Sequence, residues 1–179
     1  HNYIYPGDEP STPAVSAGTL GADFTVENGI SKIGKIFNRL DWNPSFKAPL
    51  AEPGLNVNVG DYILAVNGIP LNAGVNLYKL LENSVDKQVV LAINAKAELS
   101  GSREITVKPI SFGDEVSLRR MAWVEQNRKK TDSLSNGQIA YVYMPNTGDE
   151  GYTYFNRYYF AQMDKKALLL DERNNGGGS

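Results

Sequence analysis

The chain has 179 residues, of which 41% are hydrophobic and 21% charged, a length and balance that suit one ordinary folded domain or two small ones and exclude a disordered chain. Lys and Arg number 18 against 20 Asp and Glu, a net charge of -2, so an electrostatic footprint for nucleic acid or an anionic membrane is not expected. With no Cys and one His, disulfides, thiolate zinc sites, a cysteine nucleophile and a multi-histidine metal centre are excluded, and neither metal nor cofactor is expected. No apolar run approaches the ~20 residues of a membrane helix. The N-terminus carries neither a basic region nor an apolar signal core. Its lack of a starting Met suggests a piece of a longer chain. The compartment stays open between periplasm and cytoplasm.

Residues 1–18, with Pro6, Pro10 and Pro13 among small polar residues, read as a short extended stretch and a linker. Residues 19–110 read as a small domain of short strands. Leu20 to Val26 alternates apolar and polar residues, as a half-buried strand does, and Asn28-Gly29 is a hairpin turn leading into a return strand carrying Ile30, Ile33 and Ile36-Phe37. A polar loop with Pro44, Pro49 and Pro53 follows. Val59 to Gly68 then holds a turn, a buried strand and a second Asn-Gly turn. Leu77, Leu80 and Leu81 lie at helical spacing within 74–83, Val89 to Ile93 is an apolar strand, and Ile105-Thr106-Val107 is the last strand before Pro109.

Residues 111–179 change character. Val116 to Lys130 reads as an amphipathic helix with Leu118, Met121 and Val124 near one face; its basic residues Arg119, Arg120, Arg128, Lys129 and Lys130 read as a solvated face. Ile139 to Met144 is a strand ended by Pro145. Gly151 to Lys166 places Phe155, Tyr158, Tyr159 and Met163 at helical spacing, and those aromatics read as core. Ala167-Leu168-Leu169-Leu170 is a continuous apolar run, the pattern of a parallel strand covered on both faces. Strand, helix and strand over 139–170 make a βαβ unit with a right-handed crossover.

The sharpest local signal follows that run: Asp171-Glu172-Arg173-Asn174-Asn175-Gly176-Gly177-Gly178. Ligands bind at the carboxyl ends of strands in open α/β sheets. Glycines let backbone N–H groups approach a reacting atom, where they can stabilise an oxyanion. Composition alone also fits a flexible glycine tail. Asp171 and Arg173 are expected to fix the loop through a local ion pair and backbone hydrogen bonds. The acidic pairs Asp8-Glu9, Asp149-Glu150 and Asp171-Glu172 have no spacing suited to a metal with the single His.

Asp171-x-Arg173-x-Asn175-Gly-Gly-Gly resembles the strand-end motif of the tricorn and C-terminal-processing serine proteases. Val59-Gly60-Asp61-Tyr62-Ile63-Leu64-Ala65-Val66-Asn67-Gly68 is similar to the signature of a protease-associated PDZ domain. Trp123-Val124-Glu125-x-Asn127-Arg128, Gly137-x-Ile139-Ala140-Tyr141-Val142 and Phe155-x-Arg157 look like the stretch between PDZ domain and catalytic core in tricorn-type proteases. Together these cover nearly the whole chain in family order.

The resemblance implies a mixed α+β and α/β chain: the end of a His-bearing subdomain and a linker (1–18), a PDZ-like small β-barrel with a helix (19–110), and the first βαβ part of a crotonase-like protease core (111–179). It implies that His1 is the general base, as a group with a pKa near neutrality can be, and that the amides of Gly176 and Gly177 polarise the scissile carbonyl. The family's nucleophilic Ser and a further acidic partner lie beyond the glycine motif, and Ser179 does not match the nucleophile's place. The 179 residues alone are therefore expected to cleave nothing. The PDZ-like part implies peptides or protein C-termini as partners, bound by strand addition. The loop Thr19-Leu20-Gly21-Ala22 resembles the carboxylate-binding loop, and the helix with Leu77, Leu80 and Leu81 forms the other wall. A scaffolding role for this domain stays equally open, as does a peptide-binding adaptor without catalysis. A C-terminal-processing protease, with a Ser/Lys pair and no preceding His, is a related reading; His1 and the Trp123 region favour the tricorn side. The strand at 167–170 expects neighbours and cover that the remainder of a longer chain would partly provide; its exposed edge is expected to be paired with another copy of the chain, giving a homo-oligomer, or left weakly ordered.

Overall fold

The computed structural model describes residues 7, 8, 10, 15–37 and 46–178. His1 and Ser179 lie outside the described residues, as does most of the extended stretch expected at the N-terminus. The chain divides into two compact units, residues 1–118 and 119–179.

The first unit is built on an antiparallel sheet. β1 (Ala22–Glu27) and β2 (Ile30–Ile36) form a hairpin in register Glu27↔Ile30 to Ala22↔Ile36, with one irregularity between Asp23 and Phe24. The turn is the expected one: Asn28 and Gly29 take φ of 52° and 81°, the left-handed pair that a two-residue hairpin needs. β2 pairs with β3 (Tyr62–Val66), β3 with the two-residue β4 (Ile69–Pro70) across Asn67-Gly68, and β3 again with β5 (Val89–Asn94), which pairs with β6 (Arg103–Val107). The order is β1-β2-β3-β5-β6, an open ladder. The sequence reading expects a small barrel; among the described residues the two ends of the ladder meet only in one isolated bridge, Thr19 with Ile110, outside the strands.

Leu20, Ile33, Leu50, Ile63, Leu91 and Ile93 are almost wholly buried in the core of this unit. Each is worth roughly 1.5–3 kcal/mol over the same side chain left in water. The helix expected within 74–83 shrinks to a single turn, α1 (Leu77–Leu80). Asn76 starts it, its side chain accepting the Tyr78 N–H at 2.8 Å, and the left-handed Asn83 (φ 55°) follows it closely. Leu77 and Leu81 are buried, so the hydrophobic spacing is real although the helix is short. At the hairpin tip a Cβ on Gly29 would lie 2.3 Å from the backbone of Ala73, so the tip touches the loop that leads into α1.

α2 (Phe112–Leu134) extends past both ends of the expected helix. Ser111 and Asp114 explain the early start. The Asp114 N–H donates to Ser111 Oγ (3.1 Å), and the Ser111 N–H and hydroxyl donate back to the Asp114 carboxylate (3.3 and 2.6 Å). The helix stops at Asn136 and Gly137, both left-handed, where the Gly137 N–H reaches back to the Asp132 carbonyl at 2.8 Å.

In the second unit β7 (Ile139–Tyr143) and β8 (Ala167–Asp171) pair in parallel, Ile139 opposite Ala167 and Tyr143 opposite Asp171, joined through α3 (Asp149–Phe160). This is the expected βαβ order. Ala140, Tyr141, Val142 and Tyr143 are buried, together with Met121 and Val124 of α2. β8 corrects the sequence reading. Leu168, Leu169 and Leu170 are 40–44% exposed rather than covered on both faces. The reason is the sheet itself: it has two strands, and β7 is the single strand neighbour of β8 among the described residues.

Asn146 organises the start of α3. Its Oδ1 accepts the Gly148 and Gly151 N–H groups (3.0 and 2.9 Å), and its amide donates to Glu150 at 2.9 Å. The tight loop forces glycine at position 151, where a Cβ would sit 1.7 Å from the Asn146 carbonyl oxygen. Helix propensity alone makes Gly151→Ala stabilising by about 1 kcal/mol. We expect the opposite sign, a loss of about 2 kcal/mol or more in urea unfolding, because the clash is with backbone.

Candidate functional site

Two places carry the sequence expectations, one in each unit. The first is the entry to β1. Thr19, Leu20 and Ala22 are 5%, 1% and 1% exposed. The Thr19 N–H donates to the Ile110 carbonyl at 2.8 Å, and the Ile110 N–H donates to the Thr19 carbonyl at 3.0 Å. Gly21 takes φ +67°. Its carbonyl accepts the Phe37 N–H at 2.9 Å, and its N–H donates to Glu115 Oε2 at 3.0 Å. Glu115 lies in the first turn of α2 and is buried. A carboxylate is favoured there by the positive end of the helix dipole.

Beyond that loop, Phe24 and Val26 lie on the same face of β1 as Ala22, by the two-residue period of a strand. They open onto a groove whose other wall is Leu77 and Tyr78 of α1 with the loop 72–76. Gly29 and Ala73, which approach each other closely, also line this groove. β1 stands at the edge of the sheet, with β2 as its single strand neighbour among the described residues.

The second place is the glycine loop after β8. Asp171 is buried, and four groups hold it. The Tyr141 hydroxyl donates to it at 2.6 Å, the Arg173 backbone N–H at 3.1 Å and Arg173 Nε at 2.9 Å, while Arg173 Nη2 forms an ion pair with Oδ2. The guanidinium also lies over the Trp123 ring, 4.7 Å from its centre, and Trp123 meets Tyr143 edge-on at 5.3 Å. Arg173 hydrogen bonding, above all, holds the Asp171 carboxyl well below the usual carboxylate range, against the opposing pull of burial. Burial, and then the Asp171 hydrogen bond, push the Tyr141 hydroxyl up to about 12. The local ion pair expected from the sequence is therefore present.

The triglycine stretch is pinned to the segment after β7. The Asn175 side-chain amide donates to the Met144 carbonyl (3.1 Å), the Gly176 N–H to the Pro145 carbonyl (2.9 Å), and the Thr147 N–H to the Gly177 carbonyl (2.9 Å). The Gly177 N–H donates to Asn175 Oδ1 at 2.7 Å. Both candidate oxyanion amides thus have acceptors within the chain. Gly176, Gly177 and Gly178 border a polar depression with Arg120, Asn146, Asp149 and Glu150. Among the described residues no group of three or more His, Asp or Glu side chains could hold a metal, and no helix is long and apolar enough to cross a membrane.

Sequence reasoning missed Glu115. The available signal was Ser111-x-x-Asp114, which marks a helix start and puts Glu115 in its first turn; nothing local pointed from there to Gly21, 94 residues away.

Asp171→Asn removes the ion pair while keeping an acceptor for Tyr141, and is expected to cost about 2 kcal/mol of stability. The sign of the pH effect follows from the lowered carboxyl pKa. The stabilisation is full above the unfolded Asp value of about 4 and is lost as pH falls from there toward the folded value. Unfolding curves from neutral pH down to strongly acidic pH are expected to show this acid loss in the parent chain and less of it in Asp171→Asn.

Comparison with known proteins gives the family. A family profile described as the tricorn protease PDZ domain matches residues 18–111. A putative tricorn-like protease C-terminal subunit of Sulfurisphaera tokodaii is 33% identical over 99% of this chain and 20% of its own length. The tricorn protease of Thermoplasma volcanium is 30% identical over 99% of this chain and 17% of its own. The crystal structure of the tricorn protease superposes with a TM-score of 0.77 at 26% identity, covering 91% of this chain and 15% of that one. The chain thus spans a fifth or less of the length of these relatives. With its profile match over 18–111 and its structural likeness over nine-tenths of its length, this chain belongs to the tricorn protease family and carries that family's PDZ domain.

Proposed function

We propose that this chain is the PDZ-bearing stretch of a serine peptidase that hydrolyses peptides through an acyl-enzyme intermediate. Residues 1–18 end the His-bearing subdomain, residues 19–110 are the PDZ domain, and residues 111–179 begin a crotonase-like catalytic core. The PDZ domain docks extended peptides. The observation that carries this reading is the groove between β1 and α1 beside an edge strand. An extended segment laid along β1 gains main-chain hydrogen bonds, and its alternate side chains enter the apolar space between Phe24, Val26 and Leu77.

In the core, His1 takes the role of general base, and the amides of Gly176 and Gly177 that of oxyanion donors. Gly177 is the more readily recruited of the two. Its present acceptor is the side chain of Asn175, two residues away, so one side-chain rotation releases the N–H for a developing oxyanion. Releasing Gly176 requires moving the Pro145 backbone. Asp171 and Arg173 are positioning residues: their pair fixes the strand end from which the glycines run.

A second reading, a peptide-binding adaptor without catalysis, is favoured by one observation. Both glycine amides already have internal acceptors.

Three measurements test the proposal. Titration of the 179-residue chain with fluorescein-labelled decapeptides of extended, apolar-polar alternating sequence is expected to shift the amide resonances of Phe24, Val26, Leu77 and Tyr78; shifts confined elsewhere contradict the groove. Val26→Arg, at a position 70% exposed, leaves the fold intact and is expected to weaken that binding about tenfold. The 179-residue chain alone is expected to leave fluorogenic peptides uncleaved, since the resemblance puts the nucleophilic Ser after the glycine run; clear turnover contradicts that assignment.

A further inference from the structure

We propose that the groove between β1 and α1 takes an internal, extended peptide segment rather than a free C-terminus, because Glu115 of this same chain already occupies the Gly21 amide in the loop that would hold a terminal carboxylate. This rests on the docking reading above and names the chemistry of the ligand.

Capture of a peptide C-terminus needs backbone N–H groups directed at the carboxylate from the loop before the docking strand. Here that loop is Thr19 to Ala22. The Gly21 N–H donates to Glu115 Oε2 at 3.0 Å, and the Thr19 N–H is bound to Ile110 at 2.8 Å. Glu115 is no passing surface contact. It is 4% exposed and fixed in the first turn of α2 by the Ser111–Asp114 cap. A terminal carboxylate would have to displace it or sit beside it. Displacement abandons a charge-assisted hydrogen bond in a buried site, and juxtaposition brings two like charges together away from water. Both count against an acid terminus, and neither touches a peptide whose chain continues past the loop or ends in a neutral amide.

The remainder of the groove suits such a segment. Ligand recognition by an edge strand runs along the main chain, so it does not depend on a chain end. Phe24, Val26 and Leu77 offer apolar contact for alternate side chains.

The test compares fluorescein-labelled decapeptides ending in Val, Leu, Ile, Phe or Ala, each made as the free acid and as the carboxamide, by anisotropy against the 179-residue chain. The expected result is that acid and amide forms bind within about twofold of each other, because the Gly21 and Thr19 N–H groups of the loop are already engaged. Glu115→Ala uncovers the Gly21 N–H and is expected to favour the acid form by about tenfold, the value of one charge-assisted hydrogen bond. Glu115→Gln keeps an acceptor on that N–H and is expected to retain parity. Circular dichroism of each variant establishes that it is folded; if Glu115→Ala is not, parity in the parent chain and in Glu115→Gln supports the inference on its own. A tenfold preference of the parent chain for the acid overturns the inference and leaves the docking reading standing. So does parity in a folded Glu115→Ala. Failure of both forms to bind the parent chain overturns the docking reading and the inference with it.

Discussion

A backbone N–H taken out of water must find an acceptor. At the entry to β1 that rule is met from far away in sequence: Gly21 is served by Glu115, 94 residues on. The bond does two things at once. It satisfies a donor that the left-handed turn at Gly21 turns inward, and it ties the first turn of α2 to the strand that forms one wall of the groove. The Thr19–Ile110 pair makes the same connection one step earlier. The entry to the groove is set by this closure.

The glycine loop follows the same rule with different acceptors. Gly176 uses a backbone carbonyl and Gly177 a side-chain one. The loop is held open at its base by Asp171, a charge kept ionised inside the protein because Arg173 and Tyr141 both donate to it. β8 therefore inverts the usual burial order: its three leucines are partly exposed, and its aspartate is buried. An ion pair with only its carboxylate buried is poor evidence for stability in itself. Its use here is to aim the chain that follows, since the bidentate contact and the Trp123 face fix the direction in which Asn174 to Gly178 leave the strand.

Much of this was legible in the sequence, and the exceptions have physical reasons. The Asn28-Gly29 and Asn67-Gly68 turns were readable because their dipeptides tolerate positive φ where few others do. The Asp171–Arg173 pair was readable because its partners are two residues apart. The helix within 74–83 shrank to Leu77–Leu80 because hydrophobic spacing reports which residues face the core, not where a helix can continue. α2 began earlier than its apolar pattern because the Ser111–Asp114 cap carries the start signal and the apolar residues do not. The cover expected for Leu168 to Leu170 depended on neighbouring strands, which no local pattern specifies. Glu115 was illegible for the same reason: its partner is chosen by the fold.

The most direct measurement of the central claim is the exchange rate of the Gly21 amide proton in the 179-residue chain, followed by nuclear magnetic resonance. If Glu115 holds that N–H in a buried bond, exchange is slow, on the scale of the core strands β3 and β5, and speeds up in Glu115→Ala. Exchange in the parent chain as fast as that of an exposed loop amide would contradict the account.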